Sequence, residues 1–506
     1  MIWRIVWKEV LSNIKTLRFS IGTVLFLSLL VIFTSILISD YRYKLQNFNE
    51  FVLNNDEELT QLMTYQNLKP TVYKPPEILA LFNKGLVDNI RNSTQISIGD
   101  VPDFESASTS TNPLLSVFQI FDITLIFKIV ISIFTLLLVY DSISGEKEDR
   151  TLALLLSNNL PRYKLLLGKF IGGMITITIP IAIGIILQGI ILAVSPLISL
   201  SASDWLRIIL IYFISLITVA VLFNLGLFIS SVTRAASDTL ILLLFVWVII
   251  VLVIPNASTY LASQSQPVGS REDTDLQVQE LWRQFNMEVN DYSENNISYD
   301  QESQYIQSDA GEPWGFYHKF ATKNLIRIKQ ELNSFSEPLR VEYAEKVWQA
   351  ERRYLENMEK QNNLSKMISR FSPISIYELL VSGLSRSDIA AYNRFYEQAR
   401  EYRNQLVSYL NNKNAFSSIR YISTVKEEHL FDVKSGDEYG SIRNRYLDVI
   451  DNPQPLDTED IPRFILRNES VSATIYRLLP DVALLCIMGI LFFLFAFVAL
   501  LKYDVR

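Results

Sequence analysis

The hydrophobic positions of this 506-residue chain are gathered into long, almost unbroken runs. An α-helix needs about 20 mostly apolar residues to cross a hydrocarbon core. Six runs meet that length: 19–39, 116–140, 168–194, 207–230, 237–255 and 480–501. None alternates with period two, which argues against a closed β-barrel. The pattern predicts an all-α polytopic membrane protein with six transmembrane helices. An N-terminal interfacial helix and a mainly helical domain outside the membrane complete it.

Ahead of the first run, Trp3, Val6, Trp7, Val10, Leu11 and Ile14 fall on one helical stripe, with Arg4, Lys8, Ser12 and Lys15 opposite. Residues 1–18 are too short to cross a bilayer and read as an amphipathic helix lying in the interface, with Trp3, Trp7 and Lys8 at headgroup level. A frayed polar tail is the plainer alternative. No small-residue cleavage site follows the first run, so it is not read as a removable signal.

Basic residues orient the runs. Arg4, Lys8, Lys15 and Arg18 precede the first; Lys147, Arg150, Arg162 and Lys164 follow the second; Arg234 follows the fourth; Lys502 and Arg506 follow the last. The connection 195–204 carries neither Lys nor Arg. By the positive-inside rule both termini are cytoplasmic and the odd-numbered connections face out. The division expected is an extracytoplasmic insert at 40–115, a cytoplasmic loop at 141–167, three spans within 168–255, a large extracytoplasmic domain at 256–476, and the last span with its tail at 477–506.

In the first insert, Pro75-Pro76 before Glu77-Ile78-Leu79 predicts a helix start, and the Ser/Thr-rich stretch 106–112 a linker. In the second, Ser336-Glu337-Pro338 reads as an N-cap with an acidic first turn. Leu339, Tyr343, Val347, Ala350, Tyr354 and Met358 then recur at helical spacing. Glu342/Lys346 and Glu356/Lys360 add i,i+4 pairs. Ser385-Arg386-Ser387-Asp388 reads as a capping box opening a second helix with the stripe Ile389, Tyr392, Phe395, Ala399, Tyr402, Leu406 and Tyr409. Segments 256–275 and 450–461 are polar connectors punctuated by Gly and Pro.

The net charge of −7 disfavours nucleic acid as a partner, since phosphate binding needs a basic face. Cys486, inside the last run, is the only cysteine, so the exposed segments hold no disulfide, a bacterial rather than animal-secreted trait. No Gly-x-x-x-x-Gly-Lys-Ser/Thr occurs: at Gly168-Lys169 a tyrosine, Tyr163, holds the first glycine position and Phe170 follows the lysine. His318 and His429 lack metal-ligand spacing. No catalytic residue, metal ligand or bound cofactor is assigned, and the chain is not read as an enzyme.

The loop after the second run is the informative stretch. A charge cluster in Ser144-Gly145-Glu146-Lys147-Glu148-Asp149-Arg150-Thr151 abuts the short apolar patch Leu152, Leu155 and Leu156. Such a helix lies in the interface or docks into a partner's groove; a solvated loop that only serves the positive-inside rule is the other reading. The order Ser-x-x-Gly-Glu-Lys-Glu, Thr-Leu, Leu-Leu-Ser, Arg and then Gly-Lys-Phe resembles the membrane subunits of type 2 ATP-binding-cassette (ABC) exporters. The resemblance covers 1–39 and 116–255 and extends to the last span. It implies that residues 1–18 form that family's elbow helix. Ser144, Gly145, Glu146, Lys147, Glu148, Thr151, Leu152, Leu155 and Leu156 would belong to the coupling helix that seats on a nucleotide-binding subunit. Two departures stand out: Arg150 occupies a usual glycine position, and the proline after Leu-Leu-Ser is delayed to Pro161. The large inserts after the first and fifth spans are similar to those of a bacterial subgroup. Arg370-Phe371-Ser372-Pro373 and Ala399-Arg400-Glu401-Tyr402-Arg403 resemble its domain of unknown function.

The resemblance implies a permease without its own ATPase in the bacterial cytoplasmic membrane. Two ATPase subunits would carry ATP and Mg, and a second permease, identical or homologous, would complete the path. Apart from the resemblance, the tyrosine-rich surface of the outer domain could serve an envelope protein or a glycan. Two further readings stay open: a permease that transmits motion to an envelope partner without transport, and a membrane-anchored sensor or adhesin. Within the spans, Lys128 and Asn224 are candidates for a translocation path, because ionisable and polar groups in a bilayer carry a cost. A later start to the second span would instead let Lys128 snorkel outward. Asn224 and Gln188 also suit contacts between helices, Pro180 a kink, and Arg477 with Asp481 an i,i+4 pair.

Overall fold

The computed structural model describes residues 2–85, 92–99, 122–157, 161–196, 198–298, 309–312, 315–318, 322–432 and 455–503, with positions 438, 440, 441, 444 and 445. Six of its helices are long and apolar enough to span a bilayer: Leu17–Thr60, Ile123–Glu148, Arg162–Val194, Ala202–Val232, Ala236–Ser265 and Val471–Leu501, here spans 1 to 6. The end of the second, Ser144–Glu148, is a separate short helix that follows a turn after Val139 and is described below as the loop helix. Among the described residues the only sheets are two antiparallel ribbons, Thr71–Tyr73 with Ser93–Gln95 and Asp309–Glu312 with Gly315–His318. The chain is an all-α polytopic membrane protein.

The apolar runs locate the helices but not their ends. Span 1 continues far beyond residue 39, because no glycine or proline interrupts it from 23 to 69. At about 1.5 Å per residue its 44 residues extend for roughly 66 Å. Span 2 begins later than 116. Asp122 is its N-cap, accepting the Leu125 N–H at 2.8 Å and the Lys84 N–H at 3.2 Å. Residues 116–121 and the linker 106–112 lie outside the described residues. Two π-helical turns, Ile126–Ile131 and Ile249–Val253, interrupt spans 2 and 5.

One apolar core runs through the bundle, and it includes a helix that is not a span. Pro373–Leu384 buries Ile374, Ile376, Tyr377, Leu380 and Val381 among the spans. Tyr377 lies 6.0 Å from the Phe127 ring, and Phe127 5.8 Å from that of Phe26. Its N-cap, Ser372, donates to the Ile250 carbonyl at 2.7 Å. That carbonyl lies in the π-turn of span 5, where the regular i→i−4 ladder is broken.

A second core lies at the distal end, the end opposite the chain termini. Tyr392, Phe395, Tyr396, Tyr402 and Leu406 of Ile389–Asn412 pack with Leu325 and Ile326 of Lys323–Ser369 and with Leu68, Val72 and Ile96 from the first insert. The two inserts therefore form one body.

Several local expectations are corrected. Lys323–Ser369 runs straight through Pro338, so 336–338 is no N-cap; Thr322 is. An internal proline costs about 3 kcal/mol, but burial of Leu325, Ile326, Ile328, Tyr343, Val347 and Trp348 on one helix outweighs it. Asp388, not Ser385, caps Ile389–Asn412, accepting the Ala391 N–H at 3.1 Å. Ser385 instead ends the preceding helix, and Arg386 turns the chain with φ 56°. Pro75-Pro76 leads into a single 3-10 turn, Ile78–Leu81. Glu342 and Lys346 pair at 2.9 Å, whereas Glu356 pairs with Arg352 at 3.3 Å and Lys360 turns to Asn357. Arg477 and Asp481 do not pair with each other. Arg477 reaches Asp388 (2.6 Å) and Glu469 (3.1 Å), while Asp481 takes two bonds from Arg370 at 2.6 and 3.1 Å.

Candidate functional site

At the basal end the helix Ile2–Ile14 lies across the start of span 3. Two glycines permit the close approach. A Cβ on Gly168 would come 2.7 Å from Ile5 Cγ2, and one on Gly172 would come 2.8 Å from Glu9 Cβ. Val6 and Val10 are buried, while Trp3 and Trp7 are 74% and 64% exposed. The apolar stripe thus divides, one edge packing on span 3 and the other facing the surroundings.

Beneath that contact sits a buried charge. Lys169 of span 3 is 2% exposed, and its Nζ lies 3.0 Å from Glu146 Oε1 and 3.5 Å from Glu9 Oε2. Ser142 Oγ donates to Glu9 Oε1 at 3.2 Å, and Lys8 Nζ approaches Glu146 Oε1 to 3.7 Å from the rim. Buried ions persist where they are paired and further hydrogen-bonded. One ammonium here fixes the N-terminal helix, the loop helix Ser144–Glu148 and span 3 together.

The neighbouring charges of the loop are equally committed. Lys147 Nζ donates to the Ser231 and Thr233 carbonyls, the latter at 2.9 Å, where span 4 ends. Glu148 Oε2 accepts the Ala236 N–H at 3.0 Å, where span 5 begins. Helix ends leave unpaired carbonyls and amides whose partial charges favour a cation and an anion respectively. Adjacent residues thus grip both sides of the short turn between spans 4 and 5. Ser230 Oγ accepts the N–H groups of Ile143 (3.1 Å) and Ser144 (2.9 Å) and donates to the Tyr140 carbonyl (2.9 Å). Arg162 donates to the Leu500 carbonyl at 2.7 Å and that of Tyr503 at 3.1 Å, closing the end of span 6. Ser144 is buried, and Gly145 sits over Asp141 with room for an ordinary Cβ contact.

What remains outward is the tip. Asp149, Arg150 and Thr151 are exposed, and Leu154 is 67% exposed. Leu152 is fully buried in this chain's own core, with Leu155 and Leu156 half-buried against it. The backbone turns between the two loop helices at Arg150, φ 61°. This is the position where the resembling exporters carry glycine, and a side chain there is strained by about 1–2 kcal/mol. After the larger unfolded-state freedom of glycine is subtracted, Arg150→Gly is expected to raise stability by about 0.5–1 kcal/mol, read by thermal unfolding in detergent.

Of the two candidate path residues, Lys128 lies close to the distal start of span 2, with Nζ 2.7 Å from Glu378 Oε1 on Pro373–Leu384. Asn224 Nδ2 donates to the Gly489 carbonyl at 3.1 Å, joining spans 4 and 6. Gln188 accepts a bond from Tyr212 Oη between spans 3 and 4. Further out, Arg207 of span 4 is wholly buried. It donates to the carbonyls of Leu384 (3.1 Å) and Glu469 (2.9 Å) and to Thr474 Oγ1 (3.0 Å). Arg386 nearby reaches Glu77 at 3.1 Å and Asp204 at 3.5 Å.

Sequence reasoning named the loop residues but not what they hold. Glu9, Lys169, Ser230 and Arg207 were missed. Two left a signal: Glu9 is the only acid before Asp40, and Lys169 is a lone cation just inside an apolar run. A family model described as ABC-2 family transporter protein matches residues 3–505. No curated protein matches the chain.

Proposed function

The chain belongs to the ABC-2 family of transporter proteins, and from that premise we propose that it couples ATP hydrolysis on separate subunits to export of a substrate across a bacterial cytoplasmic membrane. The observation that carries this reading is the loop Ser144–Ser157. Its Glu146, Lys147 and Glu148 are spent on spans 3, 4 and 5, so a push on the exposed tip reaches all three. The tip, Asp149 to Leu154, offers a charged rim and one exposed leucine as the seat for an ATPase that holds ATP and Mg. Two such ATPases would serve a pair of permeases. Span 5 supports pairing with a stripe of exposed apolar residues at Ile241, Phe245, Val248 and Leu252. The N-terminal helix and the end of span 6 both reach the start of span 3 at the basal end, which suits two cytoplasmic termini.

The second reading, transmission of motion to an envelope protein or glycan, is favoured by the Arg207 cluster. It ties spans 4 and 6 to the distal body, so their movement is passed outward.

The test is gentle detergent purification of the tagged chain from its native membrane, with identification of bound proteins and an ATP hydrolysis assay. A Walker-type ATPase is expected to co-purify. Leu154→Asp should release it, whereas Lys147→Ala should keep it bound but lower its coupled activity severalfold. A folded, oligomeric chain that carries no ATPase would end the coupling reading and favour the sensor or adhesin.

A further inference from the structure

Span 1 continues beyond the bilayer, and one of its faces lines a cleft of about 230 Å³ against the first insert. The positions on that face, Leu37, Tyr41, Lys44, Phe48 and Phe51, follow the three- and four-residue spacing of a helix stripe. Two features give the cleft a direction. Its membrane end is apolar, with Leu37 inside the hydrophobic run and Leu81 facing it. Seven residues further, about 10 Å along the helix, Lys44, Lys74 and Lys84 converge on the same space. That is headgroup depth for a bilayer of about 40–45 Å overall. Beyond them Phe51 stacks on Tyr73, centroids 5.4 Å apart, and closes the far end.

The lysines are not equivalent. Lys44 and Lys84 reach Asp40 at 3.0 and 3.8 Å. Lys74 is only 6% exposed, yet among the described residues its Nζ has no hydrogen-bond partner, and it rests 4.0 Å above the Tyr392 ring. Buried polar groups are almost always hydrogen-bonded, and the described residues offer this ammonium no acceptor. Glu77 does not supply one, its carboxylate being engaged by Arg386 at 3.1 Å.

We propose that this cleft binds the phosphate group of an amphiphile, with Lys74 donating to the phosphate, Lys44 and Lys84 flanking it, and the apolar tail leaving past Leu37 into the outer leaflet. The chemistry is shared by a membrane phospholipid and by a soluble phosphate compound. It stands independently of any ATPase.

The test is calorimetric titration of the full chain in a neutral detergent with dihexanoyl phosphatidylglycerol, inorganic phosphate and dihexanoylglycerol. Saturable binding of one phosphatidylglycerol per chain is expected, with Lys74→Met and Lys84→Met each weakening it about tenfold or more, the loss of one charge-assisted hydrogen bond. Lys74→Arg should largely restore it. Lys74→Met removes an ammonium without a hydrogen bond, so its thermal unfolding should match or exceed that of the parent, and lost binding then reports a lost contact. Lys74 is faced by Glu77 and by Arg386, Asp388 and Arg394, and burial lowers its pKa to about 8. The singly charged probe should accordingly bind more weakly at pH 9 than at pH 7. Phosphatidylglycerol binding well above inorganic phosphate assigns the site to lipid, and equal binding assigns it to a soluble phosphate compound. Dihexanoylglycerol binding as tightly as phosphatidylglycerol, or affinities indifferent to Lys74 and Lys84, would overturn the proposal.

Discussion

Replacing Lys169 by methionine is expected to destabilise the basal end by about 3–5 kcal/mol, the usual cost of removing one partner from a buried ionic group. The substitution keeps the volume and deletes the charge, leaving Glu9 and Glu146, only 12% and 16% exposed, facing each other without a cation between them. Two like charges in that position either take up protons or drive the N-terminal helix off span 3. Thermal unfolding in detergent reads the loss directly. A rescue distinguishes electrostatics from packing: Glu9→Gln and Glu146→Gln, added to Lys169→Met, should recover most of the stability, since neutral partners carry no uncompensated charge. A single variant as stable as the parent would mean that the ammonium is not the tie between the three elements.

The second large effect is expected at the opposite end. Arg207→Met strips the donors from two backbone carbonyls and one hydroxyl, those of Leu384, Glu469 and Thr474. Each buried acceptor left without a partner costs about 1–3 kcal/mol, and relaxation holds the total to roughly 2–5 kcal/mol. Because those acceptors sit where Pro373–Leu384 ends and span 6 begins, the distal body should loosen on the bundle. Limited proteolysis within 266–270, the connection between span 5 and the helix Arg271–Asn296, should then accelerate at least severalfold. Arg207→Lys should rescue only in part, as one ammonium cannot reproduce the planar fork that serves three acceptors. Unchanged proteolysis together with a clear loss of stability would confine the role of Arg207 to the first two turns of span 4.

How much of this was legible beforehand follows from the range of each interaction. The six spans and the N-terminal stripe are written in local periodicity, and periodicity is what a sequence displays. The loop was recognisable by its order of residues, and Arg150 by standing where a glycine is usual; its left-handed backbone gives that departure a physical meaning. Helix ends were less legible. Nothing local stops span 1 at residue 39, and Pro338 is a breaker only until tertiary burial is counted. Pro373–Leu384 is too short to be read as membrane-embedded, and its place among the spans depends on Ser372 and a π-turn more than a hundred residues away. Lys169, Glu9 and Glu146 are separated by up to 160 positions, so Glu9 and Lys169 show only as isolated charges in apolar surroundings and the pairing itself is not written locally.

Span 1 also sets a mechanical scale. It is one uninterrupted helix, with Phe26 and Leu30 buried in the bundle core and Phe51 at the distal cleft. Pivoted at the core, a tilt of about 5° over the roughly 45 Å arm from Leu30 to Thr60 corresponds to about 4 Å of travel at the distal end. A helix of this kind is a lever whose long arm lies outside the bilayer, so small adjustments at the basal end are geared up where the first insert and its cleft are carried.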